Sequence, residues 1–467
     1  MKNEVDVAII GAGTAGLFAL SQVRKVTGSY VLINGGELGT TCARVGCMPS
    51  KAAIQVAEDF QRRKLFDRQG IEGADKLSLD IPAALEHVQD LRDVFVDKVL
   101  SSSTDEMGDE LIAGYAAFLE PNLLAVNGEE IRAKKIIIAT GSRPYIPPAW
   151  QGFRDRIFTT DEIFEQEDLP ESLAVIGLGV IGLEMGQALS RVGVEVTGID
   201  KRDHIGGLQD PVANEQAIDI LRKEFPLWLG TEPVVKEHVG KFHVTCGEQA
   251  ATVDRLFVSI GRVPNLERLG LEKLGVETDE RGIPRFNPHT LQLGELPIFI
   301  AGDVTGHRPL LHEAAEEGRI AGFNAVQDSP VEFQRRTPLT IVFSEPNIAT
   351  VGRSWSELEH DAIAIGEVKI GLVGRALIMG KNRGILRLYA DKSDGRILGA
   401  TLVMPKGENI AHLLGWAIEQ NLTVWDLLKM PFYHPTIEEA LQAALYDLAG
   451  KLERSSPEPV ELRRLSI

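Results

Sequence analysis

The sequence predicts an α/β fold: two parallel-sheet units and a C-terminal α+β unit with an antiparallel sheet. Three observations carry this. First, Val7-Ala8-Ile9-Ile10-Gly11-Ala12-Gly13-Thr14-Ala15-Gly16-Leu17 recurs as Leu173-Ala174-Val175-Ile176-Gly177-Leu178-Gly179-Val180-Ile181-Gly182-Leu183. Each copy is a short apolar run, a glycine turn and a helix-like stretch, the pattern of a buried parallel strand feeding a helix. Second, the apolar run Ile298-Phe299-Ile300-Ala301-Gly302-Asp303 lies beyond the second copy and reads as a strand returned to the first unit. Third, beyond Thr337-Pro338, alternation such as Ile385-Leu386-Arg387-Leu388-Tyr389 marks an antiparallel sheet flanked by helices. A length of 467 residues suits about three domains, each with its own core.

In chain order, Tyr30–Ile33 is the second strand of the first unit, and Val194–Ile199 that of the second. Counted from the first glycine, both strands end 23 positions on, at Asn34 and Asp200. Pro-rich Ser142-Arg143-Pro144-Tyr145-Ile146-Pro147-Pro148 reads as a crossing between domains. The expected limits are 1–145 for the first unit, 146–265 for the second, 266–337 for the return to the first, and 338–467 for the last. Long helices are expected within Ile81–Ser101 and Thr436–Leu452, and only the last dozen residues look poorly anchored.

Gly11, Gly13 and Gly16, and again Gly177, Gly179 and Gly182, let a pyrophosphate approach backbone N–H groups at a helix N-terminus. The repeat therefore points to two Rossmann-like dinucleotide-binding domains. Asp200 can accept hydrogen bonds from an unmodified adenosine ribose and would repel a 2′-phosphate, which favours NAD over NADP. Lys201 and Arg202 leave room for NADP. Asn34 can bond a ribose, but without the charge.

There are 67 acidic and 49 basic side chains, a formal net charge of −18, which argues against nucleic-acid or anionic-membrane partners. No segment is long and apolar enough to cross a bilayer, and Met1–Asp6 lacks the basic flank of a signal peptide. Three cysteines exclude a disulfide-stapled secreted scaffold, so a cytoplasmic protein is expected. No metal site is expected.

Cys42-Ala43-Arg44-Val45-Gly46-Cys47 sets two cysteines five positions apart. In a regular helix that spacing means about 7.5 Å of rise and roughly 140° of rotation, too far for a disulfide. A bond would require a distorted backbone, which Gly46 can ease, and would be reactive rather than structural. Lys51 and a helix N-terminus both favour thiolate. Cys246 reads as an ordinary thiol. In His434-Pro435-Thr436-Ile437-Glu438-Glu439, Thr436 is expected to cap a helix, with Glu439 near the end of the first turn reaching back to His434. Such a pair suits proton transfer to and from a thiol.

These residues resemble the flavin-dependent pyridine nucleotide–disulfide oxidoreductases, most closely the dihydrolipoamide dehydrogenase branch. The resemblance spans nearly the whole chain. It includes Gly39–Lys51 with both cysteines, Ala139–Pro144, Gly261–Asn265, Ala301-Gly302-Asp303, Leu311-His312-Glu313-Ala314, Phe343-Ser344-Glu345-Pro346 and His434-Pro435-Thr436. It implies FAD at the first fingerprint, NAD at the second, and a C-terminal interface domain that forms a homodimer. By similarity, Gly114, Thr140, Gly141, Ser142 and Asp303 contact FAD, Leu311 and His312 lie near the flavin ring, and Gly261 belongs to the cofactor-binding set. Lys51 would approach the flavin and pair with Glu184. Cys47 would touch the flavin and Cys42 would exchange with substrate. His434, supported by Glu439, would come from the partner subunit. The sequence departs from the family at Asn34, usually acidic, at Thr40, commonly glycine, at Arg44, commonly Asn, and at Phe432, often histidine.

The activity implied is oxidation of protein-bound dihydrolipoamide by NAD⁺, with the lipoyl domain of a 2-oxo acid dehydrogenase or related complex as partner. A mercuric reductase would need a C-terminal cysteine pair, and no cysteine follows Cys246. Two alternatives stay open: an NAD(P)H-dependent reductase of another low-molecular-weight disulfide, and a flavin-containing redox sensor or scaffold subunit.

Overall fold

The computed structural model describes residues 3–453 and 459–462. The first unit is a seven-stranded sheet in which Glu4–Ile10 lies between Tyr30–Asn34 and Glu129–Ile138, parallel to both. Leu111–Ala113 extends one edge in parallel, and Leu123–Val126 and Ala116–Glu120 extend the other as an antiparallel meander. Ile298–Ile300 adds in parallel to the C-terminal half of Glu129–Ile138, so the chain does return to this sheet. The central strands are apolar along nearly their whole length because helices cover one face and other chain segments the other, leaving no solvent side.

The second unit repeats the design with five parallel strands in the order Leu227–Leu229, Glu195–Asp200, Ser172–Ile176, Arg255–Val258, Ile157–Phe158. A three-stranded antiparallel sheet over residues 234–253 packs against it. At the Pro-rich crossing, Ser142–Pro144 pairs antiparallel with Arg262–Pro264, so outgoing and returning chain form one two-stranded ladder.

The C-terminal sheet is fully antiparallel, in the order Leu339–Val342, Asn347–Gly352, Ile397–Met404, Ile385–Asp391, Ile363–Lys369. The alternation read in Ile385–Tyr389 does not separate a wet face from a dry one. Arg387 is 6% exposed and Tyr389 fully buried, because the polar face of this strand is covered by the second unit. There the Tyr389 hydroxyl donates to Asp210 Oδ2 at 2.5 Å and lies 2.8 Å from Thr401 Oγ1.

The helices fall at Ile81–Ser103 and Glu439–Ala449 in the two expected regions. Thr436 is not the cap of the second: that helix begins at Glu439 with no side-chain cap, and the Thr436 hydroxyl donates to Tyr433 O instead. Part of the expected loose tail is docked, since Val460 packs on the C-terminal core and Tyr446 donates to Glu461. Residues 456–458 and 463–467 of that tail lie outside the described residues.

Candidate active site

The cysteine segment breaks where the spacing demanded. A short helix, Thr41–Val45, ends at Gly46 (φ −124°, ψ −116°), and a new helix, Cys47–Gln61, begins on the next residue. Gly46 is required for close approach rather than for a left-handed turn. A Cβ there would lie 2.9 Å from Thr41 O and 3.2 Å from Cys42 Cα. With the two helices folded onto each other, the free thiols of Cys42 and Cys47 come within hydrogen-bonding reach. Thr40 holds a left-handed φ of 64°, costly for a β-branched residue. Its hydroxyl accepts from Ala43 N at 3.3 Å, which caps the short helix.

The two sulfurs differ electrostatically. The hydrogen bond from Cys42, with the nearby charge of Lys51, brings the Cys47 thiol down to about 7 against the opposing effect of burial. Cys42 is pushed far up, first because its proton bridges to Cys47 and second by burial. Cys47 also opens a 15-residue helix, whose N-terminal N–H groups favour an anion. The cation acting on the sulfurs is Lys51; Arg44 instead pairs with Glu37 at the surface.

Lys51 Nζ donates to Glu184 Oε2 at 2.7 Å and sits 4.7 Å from the centre of the Phe343 ring. Glu184 is 3% exposed, and its other oxygen accepts from Phe343 N at 2.8 Å. One buried carboxylate thus ties the redox helix, the second unit's Val180–Arg191 helix and the C-terminal unit together. The backbone contact at Phe343 has no signature in the sequence.

The two glycine turns are near copies. A Cβ on Gly11 would lie 2.2 Å from Ala139 O and one on Gly16 1.9 Å from Gly11 O. The second turn gives 2.5 Å from Gly177 to Ser259 O and 1.8 Å from Gly182 to Gly177 O. Around Gly13 and Gly179, by contrast, a Cβ would meet nothing within 4 Å. Those glycines open a cradle at the uncapped starts of helices Thr14–Val23 and Val180–Arg191, which suits a pyrophosphate. Asn34 Oδ1 accepts from Ala12 N at 3.1 Å, and Asp200 Oδ2 from Leu178 N at 2.7 Å.

Near the first cradle, Ser142 Oγ donates to Asp303 Oδ2 at 2.9 Å, and Arg262 Nε donates to Ser142 Oγ at 2.8 Å. Asn265 Nδ2 donates to Thr140 O at 3.0 Å. Thr140 Oγ1 is buried with no hydrogen-bond partner among the described residues, as expected of an atom that completes its bonding on a cofactor. Gly114, Gly141 and Gly261 all take positive φ values, of 158°, 68° and 127°. Gly114 N donates to Asn34 O at 3.0 Å, at the end of the same sheet. Leu311 and His312 open the helix Leu311–Ala325, both exposed. Sequence reading named Arg262 and Asn265 only as parts of a motif; their bonds to Ser142 and Thr140 are what the fold adds.

His434 stands apart from this cluster in the single chain. Its Nδ1 lies 2.7 Å from Glu439 Oε1, and its side chain is 80% exposed. Glu439 Oε2 accepts from Thr436 N at 3.0 Å, so the carboxylate reaches back from the first residue of its helix rather than from the end of the first turn. The bond to His434, followed by that to Thr436, holds the Glu439 carboxyl below its usual range. No helix among the described residues is long and apolar enough to cross a membrane.

Comparison with known proteins places this architecture. Residues 5–318 match the profile of the pyridine nucleotide-disulphide oxidoreductases, and residues 339–445 match that family's dimerisation domain. The chain is 30% identical to a dihydrolipoyl dehydrogenase of Bacillus subtilis (strain 168), over 97% of this chain and 99% of the relative. A dihydrolipoyl dehydrogenase of Staphylococcus aureus is also 30% identical, over 96% and 97%. Among solved structures, the HOCl-induced flavoprotein disulfide reductase RclA from Escherichia coli superposes with a TM-score of 0.80 at 22% identity, over 96% of this chain and all of that one. LpdA from Mycobacterium tuberculosis gives 0.82 at 24% identity, over 95% and 100%. These two likenesses speak for the fold. The chain belongs to the pyridine nucleotide-disulphide oxidoreductases and, as a homodimer-forming member, is an enzyme that works with FAD and NAD(H).

Proposed function

We propose that the enzyme is a dihydrolipoyl dehydrogenase, oxidising protein-bound dihydrolipoamide with NAD⁺. The observation that carries this is the sulfur pair folded across Gly46, with Cys47 favoured as thiolate beside the Lys51–Glu184 pair. Relatives of that name at 30% identity over nearly full length support it.

In the resting state Cys42 and Cys47 form a disulfide. Because Glu439 occupies His434 Nδ1, His434 Nε2 is the free base, and in the dimer it faces the other copy's cysteines. The exposure of Tyr433, 80%, and Trp416, 66%, on the same C-terminal unit suits burial against a second copy. His434 takes a proton from the substrate dithiol, and the resulting thiolate attacks Cys42 Sγ. The Cys42–Cys47 bond breaks and Cys47 leaves as a thiolate, stabilised by Lys51 and the helix N-terminus. The second substrate sulfur, giving up its proton, then attacks the first substrate sulfur in the mixed disulfide; lipoamide is released and Cys42 leaves, taking up the proton held by His434. Bound FAD supplies the two-electron couple that returns the dithiol to the disulfide, with NAD⁺ as final acceptor. We assign FAD to Gly11, Gly13, Gly16, Gly114, Thr140–Ser142 and Asp303, with Leu311 and His312 near its ring. NAD goes to Gly177, Gly179, Gly182, Asp200 and the Gly261 turn.

The domain limits 1–145, 146–265, 266–337 and 338–467 belong to the same proposal, as does the cytoplasm, where catalytic thiols stay reducible. Steady-state rates with dihydrolipoamide, glutathione disulfide and a coenzyme A disulfide test the reading. Dihydrolipoamide should be the best substrate by kcat/KM. Cys47→Ser should retain FAD and lose turnover, and His434→Gln should lose roughly 10²–10⁴ in rate. Full turnover by Cys47→Ser would end the mechanism, and faster reduction of glutathione or coenzyme A disulfide would reassign the substrate.

A further inference from the structure

Asp200 ends the strand that leads to the adenosine end of the nicotinamide cradle, and a carboxylate there ordinarily presents its lone pairs to the ribose. Here those lone pairs are taken. Oδ2 accepts from Leu178 N at 2.7 Å and from Arg202 Nη2 at 3.0 Å. Oδ1 accepts from Arg202 N at 2.9 Å and from Arg202 Nε at 3.1 Å. Four donors fill the roughly four sites that a carboxylate offers. Burial works against ionisation of Asp200, yet the bonds from Arg202 and Leu178 outweigh it and hold the carboxyl below its usual range.

What faces outward is the other member of the pair. The Asp200 side chain is 4% exposed, whereas that of Arg202 is 48% exposed. Lys201 beside it is exposed and makes no ion pair among the described residues. The adjacent acid, Asp203, lies against His204 Nδ1 at 3.1 Å. The first cradle differs: Asn34 accepts from Ala12 N and donates to Gly36 O, and no cation bonds it among the described residues.

We propose that Arg202 makes the nicotinamide site accept a 2′-phosphate as well as a free ribose hydroxyl, so that the enzyme binds NADP(H) alongside NAD(H). A guanidinium fork matches phosphate oxygens in two parallel charge-assisted bonds. Toward an unmodified ribose it is simply a donor. The repulsion an exposed Asp200 would exert on a 2′-phosphate is cancelled, because the carboxylate lies behind its own counter-ion. When Arg202 turns to a phosphate, Asp200 keeps the Leu178 and Arg202 backbone donors and has lone pairs free for the neighbouring 3′-hydroxyl. The inference concerns the nicotinamide site alone and does not depend on which disulfide is served.

Calorimetric titration of the FAD-loaded enzyme with adenosine 2′,5′-bisphosphate and adenosine 5′-monophosphate tests it without turnover. In the native protein the bisphosphate should bind at least as tightly as the monophosphate, or within about tenfold of it. Arg202→Ala should weaken the bisphosphate about tenfold or more and move the monophosphate less than about threefold, while Arg202→Lys should recover part of the loss. Retained flavin absorbance shows that each variant is folded. A bisphosphate more than about tenfold weaker than the monophosphate in the native enzyme, or an Arg202→Ala variant that shifts both alike, would overturn the proposal.

Discussion

Cys47 and Lys51 are one helical turn apart, and that spacing makes one sulfur of the pair the anion. In the reduced enzyme, alkylation of Cys47 by iodoacetamide should rise with pH through a midpoint of about 7 and then level off. Lys51→Met removes the cation, raises the thiol's pKa and should move the midpoint toward the ordinary thiol value of about 8.5, so the rate at neutral pH falls. Peptide mass spectrometry against pH reads both; a native midpoint already at the ordinary value would contradict the assignment. Cys42, Cys47, Lys51 and Glu184 were legible from sequence because reactive residue types sat at telling spacings or in a family motif. The partners of Arg44 and Arg202 were not legible, since a charge in a sequence carries no record of what it pairs with. One pairs with surface Glu37 and the other lies over Asp200.

At the scale of elements, the first glycine turn is built against a helix from far along the chain. Helix Thr14–Val23 crosses Leu311–Ala325 so closely that a Cβ on Gly318 would lie 2.2 Å from Ala15 O, and one on Gly322 2.4 Å from Ala19 O. Small residues four apart on both helices allow this contact. Gly318→Ala adds helix propensity worth about 1 kcal/mol, yet pushes the helices apart. Overpacking of this kind typically costs about 1–3 kcal/mol. The net expectation is a lower thermal midpoint and earlier release of FAD, read by flavin fluorescence on heating; a midpoint raised by the substitution would contradict the contact. The first two parallel strands of each unit were readable because strand and turn lie within a few residues of each other, whereas the antiparallel meander over 116–126 left no such mark. The start of the last helix was not. Glu439 bonds Thr436 N and His434 from the first helical position, a local competition that the capping pattern at Thr436 does not reveal.

At the scale of the whole molecule, the second parallel unit and the C-terminal sheet are joined by a buried charge cluster. Asp210 caps helix Pro211–Leu221 by accepting from Val212 N at 2.9 Å and Ala213 N at 3.2 Å, while its other oxygen accepts from Tyr389. Arg387 Nε lies 3.1 Å from Asp210 Oδ2 with side chains 7% and 0% exposed, an ion pair whose angle falls short of a hydrogen bond. Trp355 covers the guanidinium, 5.5 Å from its ring centre. Arg387→Met leaves the Asp210 carboxylate buried without its cation, and breaking such a pair costs about 3–5 kcal/mol. Differential scanning calorimetry should show that loss as a clearly lowered midpoint, with Asp210→Asn/Arg387→Met partly restored; an unchanged single variant would contradict the role given to the pair. The union of these units was not legible, because nothing in the chain near Asp210 points to a tyrosine 179 positions away. Joined in this way, neither unit can swing aside without uncovering a carboxylate and a guanidinium that water would have to solvate. A hinge opening between the two units therefore carries the cost of breaking that pair, about 3–5 kcal/mol, and a cofactor enters more cheaply by any route that leaves it closed.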